Sequence, residues 1–190
     1  MNLVGQVDSP AFFARFDIGQ GREGELPSTM RTITSKEWFM PNIREFMADN
    51  HRYCDDCFVA VEQAVADRAW LLATTAFAHF GGAMRHHFAA EESLLFPAFE
   101  ERTGMSIGPT QVMRDEHAQM RELIAAAEAA LGARDADDYL GEAETLLIMM
   151  QQHNMKEENV LYPMCDQHLV DQLETLLPRL QGATLHAERA

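Results

Sequence analysis

The chain has 190 residues, 47% of them hydrophobic and 24% charged, which fits one soluble domain with a sizeable core. Its formal net charge of −15 repels nucleic acid and anionic membrane surfaces and favours solubility. No run of about 18 apolar residues offers a membrane span. The N-terminus lacks the basic stretch and apolar run of a signal peptide, so the cytoplasm is the expected location.

Residues 1–35 read as an N-terminal extension interrupted by Gly and Pro (GQGREGELPST), with FFARF as its apolar cluster. It is either disordered or docked through those phenylalanines. A bundle is expected over 36–180 and a frayed tail over 181–190. The first helix should start near Pro41, with Ser35 capping a turn before it, and run to about residue 67. Ile43, Met47, His51, Cys54, Phe58, Val61 and Val65 step by three or four and form one apolar stripe. The second helix is expected over about 68–101, with Phe80, Met84, His87, Phe88, Glu91, Leu95 and Ala98 on its stripe. Gly81 and Gly82 mark a weak or closely packed spot, and Pro97 should kink or end the helix near residue 96.

A breaker-rich turn, ERTGMSIGPT, precedes a third helix from about Pro109 to Leu131, with Gly132 as its stop. Met113, His117, Met120, Ile124, Ala127 and Leu131 share its stripe. Asp135 to Asp138 supply capping chemistry for a fourth helix over about 136–165. Its stripe holds Leu146, Met150, His153, Glu157, Val160, Leu161 and Met164. A short fifth helix, 167–178, should end at Pro178. Long helices, short loops and no period-two alternation predict an all-α, up-down-up-down four-helix bundle with a short C-terminal helix.

One motif is written twice. HFAAEESLLFP (87–97) and HNMKEENVLYP (153–163) both fit H-x-x-x-E-E-(Ser or Asn)-(aliphatic)-L-(aromatic)-P. At about 100° per residue, His87 and Glu91 share a helix face, as do His153 and Glu157. Glu92 and Glu158 point about 140° from their helix's His, toward solvent or a neighbouring helix. A single His on an apolar stripe is ordinarily a satisfied core residue. Here each of four long helices carries one (His51, His87, His117, His153), and two carboxylates lie in the same layer. Two unpartnered buried carboxylates would destabilise or protonate each other, a conflict that a dinuclear cation removes. Four imidazoles and two carboxylates without thiolate suit iron, manganese or zinc.

The pattern His51, His87-x3-Glu91, Asp115-Glu116-His117 and His153-x3-Glu157 resembles the hemerythrin-like (HHE cation-binding) family over about residues 36–165. The resemblance implies a non-haem di-iron centre, two iron ions with an oxo or hydroxo bridge, that binds oxygen, nitric oxide or related small ligands. Its implied ligands are His51, His87, Glu91, His117, His153 and Glu157, with zinc or manganese as the lesser alternatives. Turnover would need a reductant, such as an electron-donor protein. Oxygen-carrying hemerythrins have a His where this chain has Arg121 and an Asp where it has Glu158. The ligand set is more similar to the iron-sulfur-cluster repair (RIC-type) branch, whose additional Cys-Cys domain is not found in these residues.

Other features have plainer readings. Cys54 and Cys57 form a C-x-x-C, but mid-helix rather than at the strand-to-helix turn of a thioredoxin-like site, so packing is expected. Three cysteines are too few, and odd in number, for a disulfide scaffold. Cys165 and His168 read as surface chemistry at a helix end. His79 and His86 share another face of the second helix and suit a helix contact or an interface. Arg121, one turn from His117, is placed to ion-pair with a carboxylate near the site. Tyr53 and Tyr162 lie close in sequence to ligand candidates, with orientation undetermined. The 12 methionines mostly fill core positions.

Overall fold

The computed structural model describes residues 42–184. The expected extension, Ser35 and the end of the tail lie outside the described residues. α1 (Ile43–Ala66) pairs with α2 (Trp70–Ala90), which continues through a π turn (Glu91–Leu95) into α3 (Phe96–Thr103). α4 (Pro109–Ala133) pairs with α5 (Ala136–Lys156), which continues through a second π turn (Glu157–Leu161) into α6 (Tyr162–His168). A 3₁₀ turn (Val170–Gln172) leads to α7 (Leu173–Thr184), which packs on α2, the first π turn and α1. The fold is the expected all-α four-helix bundle with a C-terminal helix. No described helix is long and apolar enough to cross a membrane.

The helix ends follow capping chemistry. Asn42 caps α1, its side chain accepting from the Glu45 N–H at 2.7 Å. A second cap comes from α6: Asp166 Oδ1 accepts from the Ile43 N–H at 2.7 Å and Oδ2 from the Arg44 N–H at 3.3 Å. One carboxylate thereby ties the start of α1 to α6, more than 120 residues away. Asp166→Ala should cost about 1 kcal/mol. For a chain of this size that is a fall of roughly 2–4 °C in Tm. Calorimetry checks it, with metal content unchanged as the control.

Asp135 caps α5 as expected, accepting from the N–H groups of Asp137 and Asp138 at 3.1 Å. Two expected stops are corrected. α4 runs past Gly132 and ends where Arg134 takes a left-handed φ of 57°. Pro178 lies inside α7 rather than at its end, because Leu176, Leu177, Leu180 and Thr184 are all buried along that helix. The change expected at Pro97, near residue 96, is found as a switch of helix type, with the chain continuing helical beyond it. The π turn precedes the proline, the Phe96 N–H reaches back to the Glu91 carbonyl, and Pro97 stands in the first turn of α3, where its missing N–H matters least. Gly81 and Gly82 are neither a break nor a close helix contact, since a Cβ at Gly81 would meet only the Arg85 guanidinium at 3.2 Å. Val160, expected on the buried stripe, is exposed instead, because it lies within the second π turn, where the period changes.

The core falls into two apolar clusters. One gathers Phe58, Phe77, Phe80, Phe88, Tyr139 and Leu146, and the other Met47, Leu95, Phe96, Phe99, Leu161 and Leu177. Along α1, His51 stands between Met47 of the second cluster and Cys54 of the first. His117 stands likewise between Met113 and Met120, and His153 between Met150 and Leu161. A polar layer thus crosses the bundle with hydrophobic packing on both sides.

Candidate metal centre

His51, His87, Glu91, His117, His153 and Glu157 are each at most 3% exposed. All six meet in that layer. Glu91, His117, His153 and Glu157 offer ligand atoms within 4.8 Å of one another, and so do His51, His87 and Glu157. The imidazoles pair across helices: His51 Nε2 lies 3.1 Å from His87 Nε2, and His117 Nε2 lies 3.1 Å from His153 Nε2. Each carboxylate straddles the two pairs. Glu91 Oε2 is 3.2 Å from His87 Nε2 and 3.3 Å from His117 Nε2. Glu157 Oε2 is 3.2 Å from the Nε2 atoms of both His51 and His153.

The outer ring nitrogens decide what the inner ones can do. His51 Nδ1 lies 2.8 Å from Glu158 Oε1, His117 Nδ1 2.8 Å from Glu92 Oε1, and His153 Nδ1 3.0 Å from Glu116 Oε2. His87 Nδ1 lies 2.8 Å from Asn50 Oδ1. All four partners are oxygens that accept, so each Nδ1 carries the proton and each neutral Nε2 presents a lone pair. Two lone pairs facing each other at 3.1 Å repel. Each pair must hold either a proton or a cation between its nitrogens. Two donors at about 2.1 Å from one metal, at right angles, stand about 3.0 Å apart, which is the spacing found.

The carboxylates give the same answer. Glu91 Oε2 and Glu157 Oε1 are buried without a hydrogen-bond partner, and among the described residues only Tyr139 Oη shares that condition. The close Nε2 atoms do not satisfy Glu91 Oε2 unless they carry protons. A cation would satisfy both the oxygens and the nitrogens, so the donor set fits a metal pair.

In the metal-free protein, protons take those places. Burial acts to lower His51, but hydrogen bonds to Glu157 and Glu158 outweigh it and raise its pKa to about 9. His153 is raised against the same burial, by Glu157, Glu91 and Glu116. His87 is held well below the ordinary value by burial and by the charge on His51. Burial and the nearby Glu157 charge push Glu91 up. Glu157, despite burial, is held well below the usual carboxylate range by His153 and His51. Burial also acts to raise Glu116, but Lys156 and His153 hold it down, and the hydrogen bond from His51 lowers Glu158.

The helical period sends Glu92 and Glu158 toward solvent or a neighbouring helix, and they reach the neighbouring helix. There they orient His117 and His51, and Arg121 Nη2 holds Glu92 Oε2 at 2.9 Å, the ion pair expected near the site. Tyr162 is the residue that sequence reasoning missed at the centre. Its Oη lies 2.6 Å from Glu91 Oε1, 2.9 Å from Glu157 Oε2 and 3.2 Å from His51 Nε2. A regular α-helix would put Tyr162 about 180° from His153. The π turn inserts one extra residue and swings it by about 100° into the site. The available signal is the repeated L-(aromatic)-P after each E-E, where proline forces the local change of period. Asn50 and Glu116, each just before a site His, were also missed in this role.

The remaining candidates lie elsewhere. Cys54 is buried and its thiol is pushed up by burial, as is that of Cys57, which argues against a redox pair and for packing. Cys165, expected at the surface, is fully buried in the second core cluster, where residues of α7 and α1 also pack. His86 Nδ1 bonds the Gly82 carbonyl at 2.8 Å, and His79 shares a surface cleft with it, away from the imidazole layer. Tyr53 packs on the first core cluster.

A helical bundle that buries two imidazole pairs between two straddling carboxylates defines a cation-binding protein with a candidate dimetal centre. The chain matches the hemerythrin HHE cation binding domain over residues 42–165, and it belongs to that family. Comparison with curated proteins and with solved structures gives no match.

Proposed function

We propose that the chain holds two iron ions as a non-haem di-iron centre and binds or reacts with oxygen, nitric oxide or peroxide. His51 and His87 would hold one ion, His117 and His153 the other, with Glu91 and Glu157 bridging. The observation that carries this reading is the pair of facing Nε2 lone pairs at 3.1 Å, each backed by a protonated Nδ1. Six such residues fill about eight of the twelve positions of two six-coordinate metals, which leaves room for a small ligand. Iron would supply open coordination and redox electrons there. The chain's own contribution is dryness and orientation. Phe88 stacks on His117 with ring centres 4.1 Å apart and Phe96 lies 5.9 Å from it, which keeps water from that side. Tyr162 Oη supplies a hydrogen-bond donor inside the layer.

The four-His, two-Glu set favours the repair-type branch over the oxygen carriers, given Arg121 and Glu158. Sensing, scavenging and reductive turnover in stress defence are the roles this site suits. Metal analysis with an optical spectrum, on protein from iron-supplemented medium handled with and without air, is the test. Close to two irons per chain is expected, with near-ultraviolet bands that change on reduction and on adding nitric oxide. Stoichiometric zinc, or no metal and no spectrum, overturns the reading. Repeated consumption of nitric oxide or peroxide with a reductant would make the protein an oxidoreductase, and reversible oxygen uptake a binding protein.

A further inference from the structure

The site is built from two copies of one motif, so its departures from symmetry carry information. His51 and His117 correspond, as do His87 and His153, Glu91 and Glu157, and Glu92 and Glu158. The contacts repeat almost to the tenth of an ångström: each imidazole pair is 3.1 Å apart, and His51 and His117 each have a carboxylate oxygen 2.8 Å from Nδ1. Two of the places that break the pattern touch the layer itself. Behind His87 stands a neutral amide, Asn50, whereas behind His153 stands a carboxylate, Glu116. Tyr162 touches both site carboxylates and His51, whereas its counterpart Phe96 has no polar atom to offer His117.

We propose that the two metal positions are inequivalent and load in order, the His117–His153 position first and more tightly, the His51–His87 position second and reversibly. This inference rests on the dimetal reading above. Two observations support it. A carboxylate behind an imidazole makes that ring a stronger donor than an amide does, and such outer partners are worth about 10–100-fold in metal affinity. The His117–His153 position has two carboxylate-backed imidazoles, while the His51–His87 position has one. The convergence of the donors points the same way. Both glutamates reach both pairs. Yet Glu91, His117, His153 and Glu157 all offer atoms within 4.8 Å of one another, whereas His51 and His87 share that closeness with Glu157, and Glu91 comes 3.2 Å from His87. On the His51 side the Tyr162 hydroxyl also donates to Glu91 Oε1 or Glu157 Oε2, and so competes with a cation for a carboxylate oxygen there. Lys156 pairs with Glu116 Oε1 and Arg121 with Glu92 Oε2, but Glu116 Oε2 stays on His153 and Glu92 Oε1 on His117, so each ring keeps its carboxylate partner.

The test is anaerobic titration of the metal-stripped full chain with Co(II), followed by calorimetry and by the Co(II) visible spectrum. Two resolved steps are expected, the first tighter by about tenfold or more. His87→Ala should keep one tightly bound Co(II), and His153→Ala should keep only weak binding. Asn50→Asp should draw the two steps together by strengthening the second, and Glu116→Gln should do so by weakening the first. Both changes are near-isosteric, and circular dichroism verifies the fold. A single two-metal step, or the reverse pattern in the histidine variants, overturns the ordered loading while leaving the dimetal centre standing. Fewer than two Co(II) per wild-type chain overturns the dimetal reading itself.

Discussion

Glu157→Ala is expected to abolish metal binding at both positions, whereas loss of a single imidazole should spare one. The reason is geometric. Glu157 Oε2 lies 3.2 Å from the Nε2 of His51 and 3.2 Å from that of His153, one from each pair, and Glu157 belongs to both groups of converging donors. Its removal also takes one of the two carboxylate charges out of the layer, so two cations held close together there are less well neutralised. Equilibrium dialysis against about 10 μM Fe(II) or Co(II) should show close to two metals per wild-type chain and near none in the variant, with loss of the near-ultraviolet bands. The thermal shift is a second readout. A metal at about 1,000 times its Kd stabilises by about 4 kcal/mol. At roughly 2–4 °C per kcal/mol, the wild type should gain about 8–16 °C on loading, and Glu157→Ala nothing. A variant that still binds two metals would sink the bridging assignment.

The parts of this molecule that obey a single period were legible in the sequence. The apolar stripes placed His51, His87, His117 and His153 on inward faces, and the i, i+4 spacing placed Glu91 and Glu157 beside them, because each of those steps is completed before the π turn can shift the period. The residues beyond each π turn were not legible under the same rule. Tyr162 lies nine residues after His153, and a uniform 100° step sends it to the wrong side. The tertiary caps were hidden for another reason. Asp166 serves α1 from the far end of the chain, and no local pattern announces such a partner. Pro178 misled because proline was read as a stop, while the burial of Leu180 and Thr184 stabilises the turn beyond it. The acceptors Asn50, Glu92, Glu116 and Glu158 were visible as residues but not as partners. Each reaches across to another helix, so its role depends on how the helices are placed side by side.

Removing the metal should change where on the pH scale the protein is sensitive. In the metal-free protein His51 is raised to about 9 from an ordinary 6.5. The folded state therefore holds a proton that the unfolded chain gives up between those values, and stability falls as pH rises wherever the native state binds more protons. This contribution is fully present below about pH 6.5 and lost as pH passes 9. It amounts to on the order of 3 kcal/mol, or a fall in Tm of roughly 6–12 °C. His153, raised in the same direction, adds to it. With metal bound, the same Nε2 carries no proton. Above pH 6.5 neither state binds one there, so stability is flat; below it the unfolded chain gains protons that the loaded protein cannot, and stability drops. Thermal melts from pH 5.5 to 9.5, metal-stripped and with excess Co(II) under nitrogen, should therefore diverge steadily between pH 6.5 and 9. Parallel curves would mean that no proton occupies the space between His51 and His87. The facing nitrogens of the metal-free protein would then lack the attraction that offsets their repulsion, and the case for a proton standing in for the cation would fall.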